Sequence, residues 1–205
     1  MKFKHMKAVL LGLIFCAANA NATLITLETR NINQYFDKND LLNSWNQSTA
    51  GIVNNIDSFE MFQSGNNSLT LLTIDFNIDY KMLWSFESGL DAGYGAALFV
   101  DGALIDNRTD NLWWRYNWAN SDVFRVEDIT LSTGNHVIQI LWAENCCNGS
   151  SSIRFTETLG QERLLSVSGI DAVSNSSPTI IPEPTSIALL GLAVLSLLTR
   201  RQFEK

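Results

Sequence analysis

Two adjacent cysteines, Cys146 and Cys147, are the residues whose type and spacing most directly suggest chemistry, and Asn148-Gly149 follows them. Neighbouring Cα atoms lie about 3.8 Å apart across a trans peptide, whereas disulfides usually span roughly 4.4 to 6.8 Å. A Cys146–Cys147 bond would therefore close a strained ring that removes little chain entropy. The alternatives are bonds to another chain, or free thiols in a metal or redox site, which an oxidising compartment disfavours.

The aromatic segment 113–118 reads WWRYNW and is a second candidate site. If it forms a strand, Trp114, Tyr116 and Trp118 share one face and Trp113 lies on the other. An exposed row of aromatic rings stacks on sugar rings in many carbohydrate-binding modules, whereas a buried row belongs to the core. For Trp114, Tyr116 and Trp118 as a complete row, we favour burial in the core. In the alternative interpretation, these three residues and Trp113 are the candidate sugar-binding side chains.

Four aspartates, Asp91, Asp101, Asp106 and Asp110, offer the oxygen ligands that calcium prefers. Their spacing does not match a twelve-residue calcium loop of the EF-hand kind. A solvated acidic loop is the simpler interpretation, and calcium is the one candidate cofactor.

Catalytic groups are sparse. A nucleophilic triad or a Cys-His pair would have to use His136, which follows the turn Gly134-Asn135 where a strand begins. Nothing singles out a glycosidase pair among the carboxylates. The sequence therefore predicts a protein that is not an enzyme, with a secreted hydrolase as the alternative.

The elements that must position these residues are strands. Between Thr73 and Tyr80, polar and apolar residues alternate with period 2, which indicates a half-buried strand. Ala96–Val100, Asp101-Gly102 and Ala103–Ile105 read as a hairpin with a type I′ turn. One helical turn is expected after Asp40, and Leu112–Trp118 and Leu164–Val167 are expected to be strands.

No segment of the body carries a helical period over three turns. Many short strands with frequent turn signals predict an all-β fold, a single jelly-roll-like β-sandwich at residues 23–170. Residues 171–181, rich in Ser, Asn and Pro, are predicted to be a linker.

The C-terminal segment 182–205 has three parts in a fixed order. Pro182-Glu183-Pro184 is rigid and non-helical, residues 186–198 are apolar and uncharged, and Arg200-Arg201 follow. A rigid spacer, an apolar helix and a basic stop are typical of a membrane segment. Thirteen helical residues span only about 20 Å of a hydrocarbon core of roughly 30 Å, which favours transient over permanent anchoring.

This segment resembles the PEP-CTERM sorting signal of Gram-negative bacteria. The resemblance covers Pro182 to Gln202. It implies that an exosortase cuts near Pro182-Glu183-Pro184 and releases the body to the cell surface or the exopolysaccharide matrix.

The N-terminus matches this interpretation, because residues 1–22 have the pattern of a secretory signal peptide. Lys2, Lys4 and Lys7 precede an apolar run, and small-x-small sites end at Ala20 and at Ala22. Export through the Sec machinery and removal by signal peptidase are expected, with cleavage after Ala22.

The body between these ends carries eight basic and nineteen acidic side chains, a net charge of −11. Such a body is a poor nucleic-acid binder and is repelled by anionic lipid. It suits a soluble extracellular protein that meets the membrane only transiently.

Two further resemblances concern the body. Residues 85–155, which include Asp91, the run from Ala97 to Gly102 and the turn before His136, are similar to protective-antigen-type and flocculin-type lectin sandwiches. The flocculin branch chelates calcium with two adjacent aspartates, but here Ala92 follows Asp91.

The Cys146–Gly149 motif resembles the Cys-Cys-x-Gly group of PEP-CTERM proteins. Together these observations predict a polysaccharide-binding matrix protein; the alternatives are a secreted hydrolase and a structural protein cross-linked through its cysteines.

Overall fold

The computed structural model of the chain describes residues 22–158 and 160–174. In these residues the chain forms thirteen strands and two helices. The strands are β1 (Leu24–Asn31), β2 (Val53–Asn55), β3 (Phe62–Gln63), β4 (Ser68–Ile78), β5 (Met82–Gly89), β6 (Asp91–Ala92), β7 (Ala96–Val100), β8 (Ala103–Arg108), β9 (Leu112–Trp113), β10 (Phe124–Leu131), β11 (Gly134–Glu144), β12 (Ser150–Glu157) and β13 (Arg163–Leu164). The helices are α1 (Leu41–Asn46) and α2 (Val167–Ser174).

The strands form two antiparallel layers, so the predicted all-β sandwich is confirmed. One sheet has the order β2-β1-β4-β11-β7-β8, and the other has the order β10-β5-β12-β13 with β3 also paired to β12. A short two-stranded ribbon, β6-β9, completes the described strands. The long central pair runs in register from Gly134 opposite Ile78 to Glu144 opposite Ser68.

The core lies between the two sheets because alternate residues of each strand face inward. On β4, the apolar residues of the predicted alternation, Ile74, Phe76 and Ile78, are fully buried. Trp84 of β5 stacks on Phe155 of β12, with ring centres 5.2 Å apart. Burial of such aromatic surface is the main stabilising contribution to the sandwich.

Helix α1 covers the outer face of the larger sheet and forms where the sequence predicts a helical turn. Asp40 caps it, since its carboxylate accepts the backbone N–H of Asn43 at 3.0 Å. Trp45 of α1 is buried against Leu141 and Ala143 of β11. The larger sheet is therefore apolar on both faces over part of its area.

The predicted β7–β8 hairpin is confirmed, with φ of 51° at Asp101 and 81° at Gly102. Strand β10, in contrast, is not evident in the sequence. Its pairing with β5 shifts register between Val126 and Ile129, where Asp128 has a φ of 58°. This bulge inserts residues into the apolar/polar alternation and hides the period of 2.

The predicted closing strand Leu164–Val167 is only partly correct. Strand β13 ends at Leu164, and Val167 begins helix α2. The hydroxyl of Ser166 accepts the backbone N–H of Gly169 at 3.0 Å and so caps that helix. Helix α2 runs to Ser174, four residues into the range predicted as a linker.

The two ends of the described body lie beside each other. The hydroxyl of Thr23 donates a hydrogen bond of 2.5 Å to the carboxylate of Asp171 in α2. The carbonyl of Ser174 accepts the backbone N–H of Asp79, just beyond the end of β4.

No helix within residues 22–158 and 160–174 is long and apolar enough to span a membrane. The predicted signal peptide up to Asn21, the remainder of the linker from Asn175 and the segment 182–205 lie outside the described residues.

Candidate functional site

An open cavity of about 280 Å³ lies at the end of the central strand pair, beside the two cysteines. We call it the cysteine cavity. It is lined by Asp91, Asn111, Trp113, Glu144, Asn145, Cys146, Cys147 and Gly149.

The ribbon β6-β9 and the end of β11 position these side chains. Asp91 is the direct pairing partner of Trp113 in the ribbon. Glu144 is the last residue of β11, and the loop 145–149 leads from it into β12. The cavity therefore collects residues from three separate stretches of the chain.

The loop turns sharply through the two cysteines. Cys146 and Cys147 form a disulfide with each other, and both side chains are exposed. Cys147 and Asn148 have positive φ values of 80° and 47°. The bond within the chain occupies both thiols, which leaves neither for a cross-link to another chain or for a metal.

Three hydrogen bonds hold this loop. The Glu144 carboxylate accepts the backbone N–H of Cys146 at 2.6 Å. The Asp91 carboxylate accepts the backbone N–H of Gly149. The side-chain oxygen of Asn148 accepts the backbone N–H of Gly65 at 2.8 Å. These contacts fix the disulfide relative to the ribbon.

The two acids of the cavity form an unusual buried pair. Glu144 is 2% exposed and Asp91 is 9% exposed. Burial raises the pKa of Asp91, and burial together with the charge of Asp91 raises the pKa of Glu144. The interaction between the two carboxyl groups thus contributes to both pKa values, and each carboxyl group also accepts backbone N–H groups of the surrounding loops.

The prediction that Leu112–Trp118 is one aromatic strand is wrong. Strand β9 ends at Trp113, and Arg115 and Tyr116 adopt positive φ values of 57° and 55°. The chain turns there, so the expected alternation of faces over Trp114 to Trp118 does not occur.

The four aromatic residues nevertheless form one contiguous cluster. Tyr116 contacts Trp113 and Trp114 with ring centres 5.3 and 5.5 Å apart, and Trp114 contacts Trp118 at 4.7 Å. Trp114 is buried and donates its indole N–H to the carbonyl of Ser150 at 2.7 Å. Of the four, only Trp113 lines the cysteine cavity.

The four candidate aspartates have separate partners. Asp91 lines the cavity, Asp101 accepts hydrogen bonds from His136 and Val137, and Asp110 pairs with Arg108. Asp106 is exposed on β8. Within residues 22–158 and 160–174, no three His, Cys, Asp or Glu side chains converge as a metal site.

His136 is structural. It is 6% exposed, its Nδ1 lies 2.8 Å from Asp101 and its Nε2 lies 2.7 Å from the carbonyl of Ser132. Both ring nitrogens therefore face oxygen acceptors within the fold, and His136 lies near the start of β11, whereas the cysteines follow its other end.

Sequence reasoning missed Glu144, Asn111 and Asn145 as site residues. The available signal was Glu144 itself, an acid at the end of a run of buried apolar residues, because buried acids are rare unless paired. Neither asparagine carries a comparable signal.

A family model for the PEP-CTERM protein-sorting motif matches residues 181–202. The chain carries a PEP-CTERM sorting motif. Pro182, Glu183, Pro184, Arg200 and Arg201 all lie within the match, as the sequence predicts. The PEP-CTERM motif implies an exported protein that an exosortase processes at its C-terminus. The Cys146–Gly149 loop fits the Cys-Cys-x-Gly group.

Solved structures show what the body is similar to. The epithelial adhesin 9 A domain from Candida glabrata, in complex with Galb1-3GlcNAc, has a TM-score of 0.51 at 9% identity, over 75% of this chain and 91% of that chain. The PA14 sugar-binding domain from RTX adhesin has a TM-score of 0.47 at 8% identity, over 72% and 97%.

A β-glucosidase from Kluyveromyces marxianus in complex with glucose has a TM-score of only 0.39 at 11% identity, over 72% of this chain and 18% of that chain. No curated protein matches the chain. At these identities the adhesin A domain shows a shared fold, and the two lower scores support no conclusion.

Proposed function

We propose that this exported PEP-CTERM protein is a non-enzymatic polysaccharide-binding component of the cell surface or extracellular matrix, and that the cysteine cavity is its sugar site. One observation carries the proposal: the ring of Trp113, the exposed disulfide and several carboxyl and amide groups face one cavity. Sugar rings have apolar faces and hydroxyl edges, and such a cavity offers partners for both.

The cavity is large enough for one sugar unit of a polysaccharide chain. Its volume of about 280 Å³ is close to the lower limit of ligand pockets, roughly 300 Å³. One sugar unit would enter, and the rest of a polymer would extend over the surface. The adhesin A domain, which shares the fold, was solved with a disaccharide.

Calcium is a proposed component of the same cavity. The carboxyl groups of Asp91 and Glu144, with the amide oxygens of Asn111 and Asn145, are ligands of the type that calcium prefers. A cation there would offset the mutual repulsion of the two acids. If it binds, calcium added after chelator treatment will raise the unfolding temperature of the wild-type protein and not that of Asp91→Ala.

The alternatives have less support. A hydrolase needs a pair of carboxyl groups placed on either side of the scissile bond, and no observation singles out such a pair. Cross-linking through cysteine needs a thiol that the internal disulfide does not provide.

Retention on matrix polysaccharide tests the proposal. The extracellular form of the protein, purified from its cells, is passed over polysaccharide extracted from the same cells. Trp113→Ala should reduce retention at least about tenfold, because it removes an aromatic surface worth more than about 1.4 kcal/mol. The control is Tyr35→Ala, an exposed ring outside the cavity.

Unchanged retention by a folded Trp113→Ala protein would refute the sugar site. Release of new reducing ends from the polysaccharide by the wild-type protein would show instead that it is a hydrolase.

A further inference from the structure

A second cavity, of about 240 Å³, opens on the other side of the aromatic cluster. We call it the tryptophan–arginine cavity. It is lined by Glu60, Met61, Trp114, Trp118, Ser152, Arg154, Glu162, Arg163 and Leu164.

Arg154 is a fixed part of this cavity. Its guanidinium group pairs with Glu87 and, at 2.6 Å, with Glu162. It also lies 4.5 Å from the ring centre of Trp118. Arg154 is thus already ion-paired with two carboxylates, of which Glu87 is shared with Arg125, and it is held against the indole of Trp118.

Arg163 differs from Arg154. Its guanidinium group donates to the neutral side chain of Gln161 at 3.0 Å and forms no ion pair with a carboxylate in residues 22–158 and 160–174. Its Nε is buried and has no hydrogen-bond partner among those residues. Because Nε is enclosed by the protein, a ligand in the cavity can meet only the rest of the guanidinium group, whose positive charge no carboxylate among those residues pairs.

The aromatic cluster joins the two cavities. Trp113 lines the cysteine cavity, Trp114 and Trp118 line the tryptophan–arginine cavity, and Tyr116 contacts both Trp113 and Trp114. Tyr116 is 52% exposed. A polymer seated in one cavity can therefore cross an aromatic surface to reach the other.

We propose that the tryptophan–arginine cavity is a second subsite for the same polysaccharide, and that it takes a sugar unit whose carboxylate binds Arg163. This inference rests on the proposed function, since it adds a neighbouring subsite to the sugar site. The apolar face of that unit packs on Trp118 and Met61, and the carboxylate pairs with the positive charge of the Arg163 guanidinium group.

The charge of the body limits the class of polymer. With a net charge of −11 before the tail, the body repels a densely anionic chain. The subsite therefore suits a polysaccharide in which acidic units alternate with neutral ones. Glu60 at the lining opposes the bound carboxylate, so neutralising Glu60 should strengthen binding.

The test uses the extracted matrix polysaccharide and the same material after reduction of its carboxyl groups to alcohols. Wild-type protein should be retained at least about tenfold better on the native polymer, as expected of one charge-assisted contact. Arg163→Gln should lose that preference, Arg163→Lys should keep part of it, and Glu60→Gln should increase it. Lys81→Gln, which removes an equal charge at an exposed residue between β4 and β5, should behave as wild type.

The outcomes separate this inference from the proposed function. If Trp113→Ala abolishes retention while carboxyl reduction and Arg163→Gln change nothing, the acidic subsite is wrong and the sugar site stands. If Trp113→Ala changes nothing, the proposed function itself fails. Circular dichroism of each variant checks that the sandwich is intact.

Discussion

The carboxylate of Asp91 accepts a hydrogen bond from the backbone N–H of Gly149, 58 residues further along the chain. This contact joins the ribbon β6-β9 to the loop that carries the disulfide. It also explains why the fourth position of the Cys-Cys-x-Gly motif is glycine. A Cβ atom on Gly149 would lie 2.5 Å from the Asp91 carboxylate and 2.6 Å from the ring of Trp113.

Gly149→Ala should therefore destabilise the protein by roughly 1 to 3 kcal/mol, because the ring and the carboxylate must both move to admit a methyl group. Chemical denaturation gives the loss in unfolding free energy, and near-ultraviolet dichroism reports the change in aromatic packing. Gly169→Ala is the comparison: the added methyl group closely approaches only the Ser166 hydroxyl, so at most one cap of α2 is weakened, and alanine favours a helix over glycine. Equal stability of both variants would contradict the packing argument.

Asp91→Asn should weaken the pH dependence of stability. The raised pKa values of Asp91 and Glu144 mean that the folded state binds more protons than the unfolded state, so this pair lowers stability as pH rises from about 4. The asparagine oxygen can still accept from Gly149, and its amide can donate to Glu144.

The variant should consequently be at least as stable as wild type at pH 7, with a flatter profile between pH 4 and about 7. Thermal unfolding across that range measures both. A variant that is much less stable at pH 7 would mean that the negative charge of Asp91 is itself needed there.

Asp101→Asn should change the pH dependence of stability in the opposite direction. Burial alone would raise the pKa of Asp101, but the hydrogen bonds from Val137 and His136 outweigh it and lower that pKa. The ionised carboxylate therefore contributes stability above about pH 4, and the contribution is lost as pH falls through the lowered value.

Asparagine also tolerates the positive φ of the turn, so this variant tests the charge and not the backbone. Because the side chain is 49% exposed, solvent screening keeps the expected loss at pH 7 near 1 kcal/mol. The difference from wild type should shrink below pH 4 in denaturation curves. A constant difference at all pH values would contradict the assignment.

Replacing both cysteines by serine should separate stability from binding. A bond between adjacent residues closes almost no loop, so the unfolding free energy should change by no more than about 1 kcal/mol. Retention on matrix polysaccharide should fall, because the exposed disulfide surface of the cavity is lost. Full retention by the double variant would show that the disulfide does not contact the ligand.

The last prediction concerns processing. Intact-mass measurement of the extracellular form should show loss of the segment Ser186–Lys205, as cleavage near Pro182-Glu183-Pro184 requires. The sequence predicts an extended conformation at the two prolines, and it predicts that Arg200-Arg201 stop transfer until cleavage occurs. Full-length protein held stably in the inner membrane of cells that have the exosortase would show a permanent anchor instead.

The sequence predicts the parts of this protein that local chemistry decides. The alternation along β4 and the Asp101-Gly102 turn need only neighbouring residues, and the sorting motif is a linear pattern. The bulge at Asp128 and the turn at Arg115-Tyr116 interrupt the alternation of the strands. Their backbones adopt positive φ values without a glycine, so the sequence carries no signal for them.

The cysteine cavity is harder to predict because it is assembled from distant stretches. Asp91 and Glu144 meet only once the ribbon packs beside β11, and the effect of the Asp91 charge on the pKa of Glu144 depends on that packing. The cysteines and Trp113 are recognisable as candidates from the sequence, whereas their common cavity is a property of the tertiary structure.

The hydrogen bond between Thr23 and Asp171 holds the two ends of the described body beside each other. Both ends lie near Ile78, at one end of β4. The other end of β4 is Ser68, which pairs with Glu144 beside the cysteine cavity. Ten extended residues at about 3.3 Å each place the cysteine cavity roughly 33 Å away. The proposed sugar site therefore lies at the opposite end of β4 from Ser174, the last described residue of the body.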